Sequence, residues 1–172
     1  LDEAALLATH LCLIQRGRIV QHGATGDVLT RPATVAAARL LDLPNLFTGT
    51  FERDGATRTL RWGPHALALP AASEATSAAG AAWTILPTKV LLHRVDRPSR
   101  GERENPVRAT IADLVTLGDD VIARLVPEGL PDARLHLKLS LHVAQRNSLA
   151  PGRQVTVSLL ADAIVPLADD GR

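Results

Sequence analysis

From Phe47 onward the apolar residues come in short runs separated by Gly, Pro, Asp and Ser, and no helical spacing is sustained. A chain patterned in this way buries its apolar side chains by pairing short strands, so a small all-β barrel or sandwich is the expected architecture. Strands are expected near Phe47–Arg53, Thr57–Trp62, Ala66–Leu69 and Trp83–Leu86, with Asp54-Gly55 turning the first hairpin. The Ala- and Ser-rich stretch from Pro70 to Ala82 reads as an irregular connection.

Residues 93–104, "HRVDRPSRGERE", concentrate charge around Pro98 and Gly101 with Val95 as their one apolar side chain, and read as an exposed linker. Four strand-like segments follow: "NPVRATIADLVTLG", "DDVIARLVPE", "ARLHLKLS" and "RQVTVSLLADAIVPL", with a short helical piece at "LHVAQRNSL". In "ARLHLKLS" the alternation puts Leu135, Leu137 and Leu139 on one face and His136, Lys138 and Ser140 on the other, so one face is core and the other is wet.

Residues 1–46 have a different texture. Asp2 and Glu3 precede "AALLA", a good helix start with its acids at the positive end of the helix dipole. "LCLIQ" and "RIVQ" flank Arg16-Gly17 and predict a hairpin. Thr25 is placed to accept from the backbone at the start of a turn of helix over Gly26–Leu29. Pro32 and Thr34 precede an Ala-rich helix that ends near Leu41, before Pro44.

Composition excludes several classes of function. Lys and Arg number 19 against 18 Asp and Glu, so no broad positive field exists to hold a polyanionic strand. Aromatic residues are 2% of the chain, too few for the stacking platforms of single-strand binders, so nucleic acid is not an expected partner. Trp62 and Trp83 are expected as core or dimer-seam anchors. Cys12 is the single cysteine, which rules out an intrachain disulfide, and its place in "LCLI" predicts a buried small hydrophobe. The six histidines carry neither "HExxH" spacing nor cysteine partners, so no metal site is expected. His136 and Ser140 merely share a strand face, without a "GxSxG" elbow around the serine. No Gly-Lys pair occurs, so the phosphate-cradling Walker A loop is missing.

The opening segment "LDEAALLATHLCLIQRGRIVQHGATGDVLTRPATVAAARLLDLPNLF" resembles the end of the ATPase domain of ATP-binding cassette (ABC) importers, from just after the switch histidine and its Asp. The resemblance implies that the nucleotide-binding residues lie upstream of Leu1. The chain lacks methionine altogether and is therefore expected to be a piece of a longer protein. "WTILPTKVLLH" resembles the segment that follows the ATPase domain in such transporters. "NPVRATIADLVTLGDDVIARL" and "LSLHVAQRNSLAPGRQVTVSLLADAIVPL" resemble the TOBE domain in its molybdate-binding, Mop-like form, an oligonucleotide/oligosaccharide-binding (OB) type barrel, with Pro151-Gly152 as the turn before a barrel strand.

The resemblance implies a fold that is mainly β: an OB-type barrel preceded by a short α/β remnant. The implied division is 1–46 for the ATPase remnant, 47–92 for the first part of the β region, 93–104 for the linker, 105–168 for the barrel and 169–172 for a tail. It also implies an oxyanion site, with Ser140 and Asn105 at the family's hydroxyl and amide positions and Lys138 and Arg103 adding positive charge. Convergent hydroxyls and cations are what a tetrahedral oxyanion such as molybdate or tungstate needs. Glu102 stands where the family has a Ser, and Val143 stands at the second hydroxyl position. These departures favour a structural, dimer-forming module.

No catalytic residue and no cofactor is expected in the chain itself; ATP and Mg would belong to the parent protein. Implied partners are a second copy, the rest of the ATPase domain and, through the parent, membrane permease subunits at the inner face of the cell membrane. The rival readings are a stand-alone intracellular molybdate or tungstate storage protein, or an importer subunit for sulfate, iron, polyamine or sugar. Residues 1–41 are expected to pack on the barrel, swap to a neighbour or fray.

Overall fold

The computed structural model describes residues 2–71, 78–93 and 104–169. The N-terminal segment forms α1 (Asp2–Leu7), β1 (His10–Gln15), β2 (Arg18–Ala24), α2 (Thr25–Thr30) and α3 (Val35–Leu40). Arg16 (φ 51°) and Gly17 (φ 76°) both adopt the left-handed backbone that matches a two-residue turn to the twist of β1 and β2. Thr34 caps α3 by accepting from the Ala37 N–H at 3.1 Å. Leu13, Val28, Ala37 and Leu41 form a small core beneath these elements.

Two local expectations fail here. Among the described residues Thr25 accepts nothing at the start of α2; its buried hydroxyl donates to the Ala8 carbonyl at 2.7 Å and its N–H to the Thr9 carbonyl at 3.1 Å, tying α2 to the α1–β1 connection. Cys12 is exposed. The β1–β2 ribbon is half-covered, and period-2 alternation that turns Leu13 into the small core turns its neighbour out.

The remaining chain alternates between two antiparallel five-stranded sheets. β3 (Leu46–Asp54), β4 (Thr57–Trp62), β5 (His65–Leu69) and β6 (Ala78–Thr84) belong to the first, and β8 (Pro106–Leu117), β9 (Asp120–Pro127), β10 (Leu135–Ser140) and β11 (Gln154–Leu159) to the second. The short last strands are exchanged: β7 (Val90–Leu92) pairs with β11, and β12 (Val165–Pro166) pairs with β6. The sheet orders are thus β12-β6-β3-β4-β5 and β10-β9-β8-β11-β7. One continuous core fills both, running from Phe51, Leu60 and Trp83 to Val107, Leu125 and Leu159.

The two sheets repeat one design. Asn45 precedes β3 as Asn105 precedes β8, and "TIL" at the end of β6 corresponds to "SLL" at the end of β11. Each is followed by a turn of 3-10 helix, Pro87–Lys89 or Ala161–Ala163, and then by the exchanged strand. The expected continuous strand "RQVTVSLLADAIVPL" is therefore broken at Ala161–Ala163, where the chain crosses to the other sheet.

Most of the other expectations are met, with one further correction. The irregular connection read over Pro70–Ala82 ends early, because Ala78–Ala82 belong to β6, with Ala81 opposite Gly49 and Ala82 opposite Thr48. Alanine is a poor strand former, and long-range pairing overrides that preference. The expected helix at "LHVAQRNSL" is α4 (Leu141–Arg146). Trp62 and Trp83 are buried core anchors, with Phe47 4.7 Å and 5.0 Å from their ring centres. Of the expected linker, residues 94–103 lie outside the described residues. The N-terminal segment packs on the first sheet: Ala38 meets Ala82 and Leu167, and Val35 N–H donates to Ala168 at 3.2 Å.

Candidate functional site

Asn105 is buried just ahead of β8 in a left-handed conformation (φ 43°). Its Oδ1 accepts from Ala68 N–H at 2.7 Å, and its Nδ2 donates to the carbonyls of Ala68 (2.9 Å) and Leu159 (3.0 Å). The amide thereby satisfies buried backbone groups of β5 and β11. Asn45 does the reciprocal work at the other junction, its Oδ1 accepting from His136 N–H at 2.6 Å and its Nδ2 donating to His136 carbonyl at 2.9 Å. Each repeat thus carries an amide that completes the third strand of the other. Asn45 escaped the sequence reading; its signal was the shared pattern Asn45…Phe51 and Asn105…Ile111 ahead of matching strands.

Ser140 and Lys138 share the outer face of β10, at the end next to the β8–β9 turn. Ser140 is exposed and caps α4, accepting from Val143 N–H at 3.4 Å. Lys138 Nζ lies 2.7 Å from Asp120 Oδ2, and Ser140 is paired with the same Asp120. An anion arriving here meets one cation, one hydroxyl and a carboxylate. Asn105 stands at the opposite end of β8, a strand of 12 residues, so on the order of 30 Å separates it from this corner. The chain brings Ser140 and Lys138 together and keeps Asn105 apart from them. Arg103 and Glu102 lie outside the described residues.

His136, beside Ser140 and Lys138 in sequence, sits at the Asn45 junction. Burial lowers its pKa below the ordinary histidine value, and the Arg124 guanidinium lowers it further, while the Arg134 backbone and the Asp113 carboxylate pull in the other direction. Its Nδ1 is buried without a hydrogen-bond partner among the described residues. Among those residues no three His, Cys, Asp or Glu side chains cluster as metal ligands would.

Two surfaces outside the expected site stand out. A groove of about 720 Å³ lies over the second sheet, its lining including Arg108, Thr110, Gln154, Thr156, Pro131 and Leu149. On the N-terminal segment, Leu6, Leu7, Ile14 and Ile19 are all more than half exposed, and Ile14 and Ile19 are cross-strand partners. An adjoining pair of exposed large apolar side chains such as Ile14 and Ile19 suits a covered surface better than one left to water. No described helix is long and apolar enough to cross a membrane.

No family model matches the chain. Its sequence is 31% identical over 160 residues to the molybdenum import ATP-binding proteins ModC of Mycobacterium tuberculosis strains CDC 1551 and H37Rv, a match covering 92% of this chain. The chain spans 42% of the length of these relatives. In structure it is similar to the molybdate-bound form of the cytoplasmic molybdate-binding protein ModG, with a TM-score of 0.58 and 15% identity, over 72% of this chain and 95% of that one. At that identity the likeness speaks to the fold alone. The chain is a relative of the C-terminal part of the ATP-binding subunits of ABC molybdate importers, built as a mainly β, OB-type barrel fold.

Proposed function

We propose that this chain is the C-terminal regulatory and dimerisation region of the ATP-binding subunit of an ABC importer for molybdate or a similar oxyanion. The observation that carries the reading is the reach of the ModC match, which covers 92% of the chain and so takes in both the N-terminal segment and the two five-stranded sheets. A free-standing storage barrel has no use for a hairpin that presents Ile14 and Ile19 to water, whereas the remainder of an ATPase domain would cover them. In this reading residues 1–46 close the ATPase domain and 47–168 form one interlocked regulatory unit that pairs with a second copy. ATP and Mg belong to the parent's upstream residues, and the assembly sits in the cytoplasm against permease subunits.

In this reading the oxyanion contacts are those of Ser140 and Lys138 at the β10 corner, completed by a second copy, because both Nδ2 hydrogens of Asn105 are committed to the Ala68 and Leu159 carbonyls. Equilibrium dialysis with molybdate, paired with light scattering, tests both halves. Dimerisation supports the regulatory role, with or without bound anion. A monomer that retains molybdate through dialysis points to the storage reading. A monomer that retains none removes both.

A further inference from the structure

We infer that the groove over the second sheet is a binding site for a small organic anion, its oxyanionic head on Arg108 and its apolar body along Val126 and Leu149. The site is separate from the β10 corner, and the inference does not rest on the importer assignment. Val107, Ala109 and Ile111 point into the core, so Arg108 and Thr110 between them point out. Strand register then builds the site. Arg108 is paired with Thr156 and Thr110 with Gln154 on β11, while Thr110 faces Val126 on β9. Cross-strand neighbours stand about 5 Å apart at Cβ, so a guanidinium, two hydroxyls and an amide converge within the span of one oxyanion head.

Among the described residues the Arg108 guanidinium has neither an ion-pair nor a hydrogen-bond partner, although Glu128 lines the same groove. Arg153 adds a second cation held in place, its Nη1 donating to the Ser148 carbonyl at 2.7 Å. The two guanidinium groups outweigh the single carboxylate. The volume of about 720 Å³ is that of a small-molecule pocket and far exceeds a bare tetrahedral ion, which is why an organic body is assigned as well as a head.

Phenyl phosphate and inorganic phosphate serve as probes, titrated into the full chain by calorimetry and followed by backbone amide NMR. Binding should shift the amides of Thr110, Val126 and Thr156. Arg108→Gln should weaken binding roughly tenfold to a hundredfold, the loss expected for one charge-assisted contact, with the thermal midpoint unchanged. Tighter binding of phenyl phosphate identifies an organic ester as the ligand class; equal binding of both identifies a free oxyanion and overturns the assigned apolar body. Absence of binding, shifts confined to residues 138–146, or undiminished affinity in Arg108→Gln overturns the site. None of these results bears on dimerisation, which light scattering reads independently.

Discussion

Asn45 and His136, 91 residues apart, are joined by two hydrogen bonds between the asparagine amide and the histidine backbone, 2.6 Å and 2.9 Å long. The pair fastens the entry to the first sheet onto β10 of the second. Because Asn45 is fully buried, no water competes for those bonds. Asn45→Ala leaves a buried N–H and C=O without partners and should destabilise the fold by about 2–4 kcal/mol, read as a lower urea midpoint. An unchanged midpoint would show that the junction contributes nothing.

The same junction confers a pH dependence. The pKa of His136 in the folded protein lies below its ordinary value of 6.5. The unfolded chain therefore takes up a proton more readily than the folded one as pH falls through about 6.5, and stability present above that pH is progressively lost below it. The thermal midpoint should fall between pH 7.5 and 5.5, and His136→Gln should fall less over that range. Parallel losses in the two proteins would place the sensitive group elsewhere.

Gly49 in β3 has no room for a side chain: a Cβ there would lie 2.6 Å from Leu60 Cδ1 and 2.7 Å from the Arg61 carbonyl. The Leu60 methyl can move, but the carbonyl is held in the sheet. Gly49→Ala should cost roughly 1–3 kcal/mol in urea denaturation, as overpacking of a closed core does. Gly55, with open space around it and a φ of 56°, tests backbone strain alone. Its Ala variant should cost about 1–2 kcal/mol.

Cys12 should react with Ellman's reagent in the native protein without waiting for unfolding, because it is exposed on β1. Cys12→Ser should change stability by less than about 0.5 kcal/mol. Reaction at the rate of global unfolding would mean that the thiol is covered.

Local chemistry made much of the architecture readable. Arg16-Gly17 and Gly55 mark hairpins because Gly admits the left-handed backbone such turns need, although the second turn falls on Gly55-Ala56, one residue later than expected, since Asp54 still pairs with Thr57. Thr34 marks a helix start because a short hydroxyl reaches the N–H three residues on. Leu135 and Leu137 announced their inward face through alternation. The candidate anion residues were less readable. A hydroxyl at Ser140 and an amide at Asn105 suit an oxyanion as well as they suit a helix cap and a strand junction, and residue type does not choose between these uses.

These choices were made by contacts between distant parts of the chain. The exchange of β7 and β12 between sheets, the recruitment of Ala78–Ala82 into β6 and the capture of Asn105 by Ala68 and Leu159 all join residues far apart in sequence. Turns, caps and alternation are settled by the sterics of a few neighbouring residues, so they can be seen in the linear order. Partner choice depends on which buried N–H and C=O groups would otherwise go unpaired, and that becomes defined only when the two sheets close on one core.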